Sequence, residues 1–298
     1  MAQAEIVCMG EPMIEFNQTG RDAQYLRGHG GDTSNCAIAA ARAGAAAGMF
    51  TALGQDEFGD SLMRLWGENG VDSAQVIRSA EAHTGVYFVH HGENGHSFSY
   101  LRAGAAASRV GPADVPHDYV RKARILHASG ISLAISASAC DATFEAMSLA
   151  RDAGVLVSFD TNLRLRLWPL ARARAMIGAA MAMTDIALPG LEDAEQLLGL
   201  SDPDIIADHY LALGAKVVAL TLGSKGCLVA TAAERRRVAG IPVQAVDATG
   251  AGDTFDGNFL AEYLRGGDPF AAARYANAAA ALATQGHGAV APMPRRAE

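Results

Sequence analysis

The sequence lacks long apolar runs and a surplus of positive charge. The chain of 298 residues is 50% hydrophobic, but its alanine-rich stretches are short and interrupted by arginine or glycine. A helix that spans a bilayer needs about 20 consecutive apolar residues, so we expect no membrane association. The 24 Lys and Arg are outnumbered by 32 Asp and Glu, which gives a net charge of -8. Because nucleic-acid binding needs a basic face, we expect no nucleic-acid partner.

Closely spaced cysteines are also missing, and we expect no leader segment. Cys8, Cys36, Cys140 and Cys227 form no CxxC pair, and each lies in an apolar segment. This pattern predicts buried free thiols rather than disulfides or a metal site, and we assign no metal-ligating residue. The first residues carry no cationic stretch and place Glu5 where a signal peptide is apolar. We therefore expect a cytoplasmic protein.

Short apolar runs alternate with amphipathic stretches along the whole chain. Runs of continuous apolar character are typical of strands buried on both faces, so the alternation predicts a parallel sheet covered by helices. The length allows one large α/β domain over residues 1–298. The predicted strands are 5–10, 49–53, 125–128, 155–159, 185–188 and 217–222, and the predicted helices are 33–46, 58–69 and 139–153.

Two stretches interrupt this alternation. Residues 84–101 contain two β-rich runs around Gly92-Glu93-Asn94-Gly95, which is a hairpin signal, and residues 13–25 lack helical periodicity. We predict that segments of about 11–30 and 84–103 form a small sheet that acts as a lid over a pocket. The alternative is an ordinary edge hairpin. Exposed strand edges of a lid would favour pairing between subunits, so we expect a homo-oligomer formed through the lid.

The most informative string is VDATGAGDTFDGNF, residues 246–259. Gly250, Ala251 and Gly252 lie at a predicted helix start, where backbone amides and the helix dipole attract a phosphate. Asp253 follows directly, and its carboxylate would repel a phosphate, so a better role is to accept a proton from an attacking hydroxyl. The alternative is a glycine turn with a capping aspartate. Neither a P-loop nor a Rossmann fingerprint is present.

A second polar turn, Gly30-Gly31-Asp32-Thr33-Ser34-Asn35, precedes the first predicted helix. Its glycines would let a ligand approach the backbone, and Asp32 and Asn35 can hydrogen-bond hydroxyl groups. On its own this turn could equally be a flexible connection with a capping residue.

The string over residues 247–255 resembles the C-terminal signature of the ribokinase (PfkB) family of sugar kinases, and residues 30–35 and 51–59 resemble two further blocks of that family. The resemblance covers nearly the whole chain. It implies a ribokinase-like fold, a three-layer α/β/α sandwich with a mostly parallel central sheet and a small β-sheet lid. It also implies an ATP-dependent kinase that uses Mg²⁺, with Asp253 as the catalytic base and with Gly250, Ala251 and Gly252 holding the transferring group.

Within the family, several strings are similar to the subgroup that phosphorylates 2-keto-3-deoxygluconate. They are residues 10–15, 30–33, 84–88, 100–102, 129–136 and 160–168. An acidic sugar needs a cation, and a guanidinium holds a carboxylate through paired bonds. The resemblance implies keto-acid contacts at Gly31, Asn35, Tyr87, Tyr100, Arg102, Arg164 and Asp253. It implies nucleotide contacts at Asn162, Gly223, Ser224, Gly226, Gly250, Gly252 and Asn277, although Asn277 could equally be an ordinary helix residue.

Two departures from the subgroup pattern bear on the substrate. They are Ala103-Gly104, where a polar or charged pair is usual, and the stretch over residues 285–288. The sequence therefore leaves fructose and 2-keto-3-deoxygalactonate open as alternative substrates. A non-catalytic sugar-acid sensor is a third alternative, against which the intact Asp253 and its glycine turn argue.

Overall fold

A computed structural model describes residues 3–19, 24–92 and 95–298. Thirteen strands and ten α-helices occur in these ranges. The strands are β1 Ile6–Met9, β2 Met13–Gln18, β3 Tyr25–Gly30, β4 Ala47–Gly54, β5 Asp72–Ser79, β6 Gly85–Gly92, β7 Gly95–Leu101, β8 Ile125–Ser129, β9 Leu156–Asp160, β10 Ile186–Leu188, β11 Val217–Thr221, β12 Gly226–Ala230 and β13 Arg235–Ala239. The helices are α1 Asp32–Arg42, α2 Glu57–Asn69, α3 His117–Arg121, α4 Gly130–Ala134, α5 Ala137–Asp152, α6 Leu170–Met181, α7 Leu191–Leu198, α8 Pro203–Ala212, α9 Ala251–Gly266 and α10 Pro269–Ala283.

The main sheet has nine strands among the described residues, in the order β13-β12-β11-β10-β9-β8-β1-β4-β5. From β5 to β11 all neighbours pair in parallel, and the two antiparallel pairs, β11 with β12 and β12 with β13, lie at one edge. The strand order changes direction at β1, because the chain adds β4 and β5 on one side of β1 and then β8 to β13 on the other side. Ligand sites of open α/β sheets lie at such a reversal, outside the carboxyl ends of the strands.

Both faces of this sheet are buried, as strand β1 illustrates. Ile6 and Cys8 belong to one apolar cluster, and Val7 and Met9 belong to the other, because successive side chains of a strand point to opposite faces. Helices α1, α2, α9 and α10 cover the face of Ile6, while α4 to α8 cover the face of Val7. The three-layer α/β/α architecture with a mostly parallel central sheet, expected from the sequence, is therefore confirmed.

Several boundaries differ from the sequence expectation. The first helix ends at Arg42 rather than at residue 46, and Gly44 turns the chain with φ +93° before β4 begins at Ala47. The alanine-rich stretch over residues 37–47 hid this boundary, since alanine marks neither a helix end nor a strand start. Strands β5, β12 and β13 were not predicted at all.

A second sheet of four strands, in the order β3-β2-β6-β7, stands beside the main sheet, and we call it the lid sheet. Strand β2 pairs antiparallel with β3 and parallel with β6, and β6 pairs antiparallel with β7. Its strands come from the two segments that the sequence pattern singled out. The tip of the predicted hairpin, Glu93-Asn94, lies outside the described residues, as do residues 20–23.

All four cysteines are unpaired and buried, as predicted. Among the helices that the structure describes, none combines the length and apolar character that a bilayer crossing requires.

Candidate active site

A cavity of about 1820 Å³ opens at the carboxyl edge of the main sheet, below the lid sheet. Asp160, Leu188 and Thr221 line it from the ends of β9, β10 and β11, and Tyr87 lines it from the lid sheet. Pockets for a single small ligand occupy about 300–1,000 Å³. The cavity therefore has room for two ligands side by side.

The start of α9 lies at the floor of this cavity. Gly250 caps the helix with φ +75°, and a Cβ built on it would come within 2.9 Å of the Cα of Ala289, so only glycine fits this position. At Gly252 an added Cβ would meet no atom within 4 Å. Both glycines line the cavity, which exposes the positive end of a 16-residue helix to a ligand. The Ala251 amide already donates to the carbonyl of Ala248, 3.2 Å away, and Ala251 does not line the cavity.

Asp253 lies in the first turn of the same helix and faces the cavity. Its Oδ2 accepts a hydrogen bond of 2.7 Å from Nδ2 of Asn35, the side chain that α1 contributes. Desolvation, together with the nearby charge of Asp32, raises the pKa of Asp253 to about 7, while the Asn35 bond and Arg164 act in the opposite direction. A carboxyl group that titrates near neutral pH is suited to accept a proton from a substrate.

Three side chains around Asp253 keep oxygen atoms without a partner. Asn162 donates from Nδ2 to Oδ2 of Asp32 over 2.9 Å and holds the unusual φ of +27°. Within the described part of the chain, Oδ1 of Asp32, Asn35 and Asn162 is buried and accepts no hydrogen bond. Buried polar atoms are nearly always satisfied, so this cluster points to a polar ligand such as a polyhydroxylated molecule.

A pair of carboxyl groups, Asp160 and Asp256, lies beside this cluster and also lines the cavity. The two are hydrogen-bonded to each other, and burial raises the pKa of both well above the usual range. Two adjacent carboxylates cannot both ionise in a desolvated site, so the pair retains a proton. Asp256 follows Asp253 by three residues and therefore shares its helix face.

The lid sheet places aromatic rings and a cation over the cavity. Tyr87 and Tyr100 face each other across β6 and β7 with ring centroids 5.8 Å apart, and the Tyr87 hydroxyl donates to Glu15 over 2.5 Å. The guanidinium of Arg102 lies 5.4 Å from the Tyr100 ring and forms an ion pair with Glu11. Part of the donor capacity of Arg102 is thus engaged within the protein.

Gly31 and Arg164 approach the cavity from the body of the fold. Gly31 caps α1 with φ +108°, and a Cβ on it would come within 2.4 Å of the Glu11 carbonyl oxygen. Arg164 lies in the loop after β9 and donates through one NH group to the Leu163 carbonyl over 2.9 Å. Its charge lowers the pKa of both Asp253 and Asp193, although burial leaves both of these values raised.

Not all of the expected nucleotide residues reach the cavity wall. Asn162, Gly250 and Gly252 line it, whereas the remaining four do not. Three of these, Gly223, Ser224 and Gly226, lie in the turn between β11 and β12, directly after the cavity residue Thr221. The fourth, Asn277, donates to the Val238 and Ala239 carbonyls over 3.2 and 3.3 Å, which ties α10 to β13.

Five acidic residues of the site were not predicted from the sequence. They are Glu11, Glu15, Asp160, Asp193 and Asp256, all of which contact or line the cavity region. One signal was available for Asp256, since its spacing from Asp253 places both on one face of a helix. Nothing comparable marked Glu11, because its partner Arg102 is 91 positions away along the chain.

Residues 3–296 match the sequence pattern described as pfkB family carbohydrate kinase. The chain is 36% identical to the 2-dehydro-3-deoxygluconokinase of Thermoproteus tenax, over 100% of this chain and 94% of that protein. It is 34% identical to the enzyme of the same name from Bacillus subtilis, over 98% and 93% of the two chains. It is also 32% identical to fructokinase-1 of Oryza sativa subsp. japonica, over 98% and 95%.

Solved structures agree with these sequence relationships. A PfkB protein from Polaromonas sp. JS666 superposes with a TM-score of 0.90 at 33% identity, over 99% of this chain and 98% of that chain. A fructokinase with bound ATP from Xylella fastidiosa superposes with a TM-score of 0.91 at 28% identity, over 98% and 96%. The match spans the main sheet, the lid sheet and the glycine-capped helix together, and the chain therefore belongs to the pfkB family of carbohydrate kinases.

Proposed function

We propose that this carbohydrate kinase transfers the γ-phosphoryl group of ATP to the terminal hydroxyl of 2-keto-3-deoxygluconate, giving 2-keto-3-deoxy-6-phosphogluconate. One observation carries the chemistry: Asp253, with a pKa of about 7, lies directly beside the glycine-capped start of α9. The similarity to two 2-dehydro-3-deoxygluconokinases supports the choice of substrate. A kinase that consumes ATP would work in the cytoplasm.

Asp253 accepts the proton of the attacking hydroxyl. A bond forms between that oxygen and the γ-phosphorus, while the bond from the γ-phosphorus to the bridging oxygen breaks and ADP leaves with the electron pair. The amides of Gly250 and Gly252 face the developing negative charge from the positive end of α9. Ala251 contributes less, because its amide is already bonded to Ala248.

Mg²⁺ would enter as part of the MgATP substrate and neutralise charge on the phosphates. Such an ion keeps several waters and needs only one or two carboxylates from the protein. Among the described residues, no group of three or more His, Cys, Asp or Glu side chains is placed to hold a metal. Asp193 lines the cavity, accepts through Oδ2 from the Leu163 amide and would be a suitable single ligand through its other oxygen.

The sugar acid would lie between Asp253 and the lid sheet. Asn35 and the unpartnered oxygens of Asp32 and Asn162 are available for its hydroxyl groups. Arg102 and Arg164 would hold its carboxylate. Tyr87 and Tyr100 would cover its carbon chain, and Gly31 allows it to approach the backbone.

ATP would occupy the other half of the cavity, with its phosphates at Gly250 and Gly252 and its remaining part beyond Thr221. The turn of Gly223, Ser224 and Gly226 follows Thr221, so these residues would border the ribose or base. Asn277 would act there through its bonds to β13 rather than from the cavity wall.

We also propose that the lid sheet is a subunit interface. Three apolar side chains of its strands are substantially exposed, namely Leu26, Phe98 and Leu101. A partner sheet that paired with this one would remove these side chains and the strand edge from water.

A second candidate substrate is fructose, which two observations favour. Relatives named fructokinase match with similar coverage, and the Glu11 carboxylate compensates the charge of Arg102. A coupled ADP-release assay over sugar acids and neutral hexoses distinguishes the two. We expect the highest kcat/KM with 2-keto-3-deoxygluconate, and preferential use of fructose would overturn the proposed substrate while leaving the kinase chemistry intact.

A further inference from the structure

The lid sheet joins the body of the fold through four crossings in the described chain. The chain enters the lid through residues 10–12 and leaves it through 30–31, and it enters again through 84–85 and leaves through 102–104. Substrate contacts lie on or next to these crossings, including Gly31 and Arg102. The relative position of the crossings therefore decides where the lid sheet places its side chains.

Glu11 lies at the point where these crossings meet. Its carbonyl oxygen would be 2.4 Å from a Cβ on Gly31, and its Oε1 would be 3.4 Å from a Cβ on Gly85. Its Oε2 accepts the hydrogen bond from NH2 of Arg102. Glu11 thus bonds to Arg102 at the fourth crossing, leaves no room for a side chain at Gly31 in the second and lies near Gly85 in the third.

The Glu11–Arg102 ion pair is almost fully removed from solvent. The Glu11 side chain is 0% exposed and that of Arg102 is 14% exposed. In the part of the chain that the structure describes, Glu11 Oε1 and Arg102 Nε have no hydrogen-bond partner. Desolvation of such a pair costs about as much as the attraction returns, so its net contribution is small, but removal of one partner leaves the other charge buried and unpaired, which destabilises the surroundings. What the pair does fix is the direction of the guanidinium, which also lies against the Tyr100 ring.

We propose that Glu11 is a positioning residue that orients Arg102 toward the acidic end of the sugar and holds the lid crossings together. The inference rests on the proposed function, since it takes Arg102 as the contact to a substrate carboxylate. Glu11 occupies one side of the guanidinium and leaves Nε without a partner. The substrate therefore meets a cation whose orientation is fixed. Glu11 itself does not line the cavity and acts through Arg102.

The test compares Glu11→Gln, Arg102→Met and the double variant, with wild type as reference. We expect Glu11→Gln to raise the KM for the sugar acid about tenfold, as the loss of one charge-assisted bond would do. The KM for ATP and kcat should stay within about twofold, because Asp253 and the start of α9 are untouched. The double variant should be no worse than Arg102→Met alone, since Glu11 acts through that side chain.

Glu5→Gln is the matched control. Glu5 directly precedes strand β1, whereas Glu11 follows that strand. The side chain of Glu5 pairs with Arg124 at the end of β1 that is away from the lid sheet. It should leave the KM for both substrates unchanged. Glu11→Asp serves as a second variant, because it keeps the charge and withdraws it by one methylene, so a smaller rise of the same KM is expected. Additive effects in the double variant, or an equal rise in the KM for ATP, would overturn the positioning role.

Hydrogen exchange separates this inference from the proposed substrate. In the sugar-free enzyme, amides of residues 84–92 and 97–103 should exchange faster in Glu11→Gln than in wild type or Glu5→Gln. If exchange is faster in Glu11→Gln but the wild-type enzyme prefers a neutral sugar, Glu11 still holds the lid crossings together and only the substrate assignment is rejected. Exchange identical to wild type, together with an unchanged sugar KM, would reject the role of Glu11 itself.

Discussion

The floor of the cavity and the lid sheet are held in place by different means. The floor, residues 250–256 with Asn35, is one helix start fixed by a left-handed glycine and one hydrogen bond to Asp253. The lid sheet depends on contacts between distant segments, of which Glu11–Arg102 spans 91 positions. The proposed function thus places the chemistry at one helix start with Asn35, and substrate choice in contacts between segments that are distant along the chain. Changes at the floor should alter kcat or the KM for ATP, and changes at the lid should alter the KM for sugar.

Asp253→Asn is the strongest test of this division. Without a base, kcat should fall by ~10²–10⁴, while the KM values for both substrates change little because the amide keeps the shape and still accepts from Asn35. Initial-rate kinetics measure both parameters. Asp152→Asn, an exposed position on α5 in the opposite layer, is the control and should behave as wild type. A kcat near that of wild type would remove Asp253 from the proposed mechanism.

The acid limb of the pH profile sharpens the same comparison. The pKa of Asp253 is raised to about 7, and only the ionised form accepts a proton, so kcat/KM should fall about tenfold per pH unit below that value. Glu11→Gln should keep this limb, because it changes the lid and not the base. A rate that is constant from pH 5 to pH 8 would contradict the assignment.

The same raised pKa has a consequence for stability. Between the pKa of an unfolded aspartate, 3.8, and about 7, the unfolded chain releases a proton that the folded chain retains. The favourable contribution of protonated Asp253 is therefore fully present below about 3.8 and is lost as the pH rises through about 7. Asp253→Asn removes this loss and should raise the free energy of unfolding at pH 8, as shown by urea denaturation.

Six of the nine strands of the main sheet and the helix start after the glycine string could be predicted, because both are encoded locally. Buried strands show as apolar runs, and the glycine string precedes its aspartate directly. Strand β13 escaped prediction since Arg235, Arg236 and Arg237 suggest a solvated loop, although acidic partners at Asp204 and Asp208 pair with two of them. For the same reason Glu11 could not be assigned: its role depends on three crossings that are distant in sequence.

Two glycines of the floor test how the backbone conformation of this helix start contributes to stability. Gly250→Ala forces a φ of +75° on alanine, which costs roughly 1–2 kcal/mol, and brings the new methyl within 2.9 Å of Ala289. Thermal unfolding should show a lower Tm. Gly252→Ala meets no atom within 4 Å, and alanine is favoured over glycine within a helix by about 1 kcal/mol, so its Tm should not fall.

The two glycine variants should affect activity for different reasons. In Gly252→Ala the methyl enters the space proposed for the phosphates, so the KM for ATP should rise several-fold in a fully stable protein. In Gly250→Ala the loss of activity should accompany the loss of stability. If Gly252→Ala leaves ATP kinetics unchanged, the phosphate does not approach the start of α9 at this amide, and the anion site must be sought at Gly250 alone.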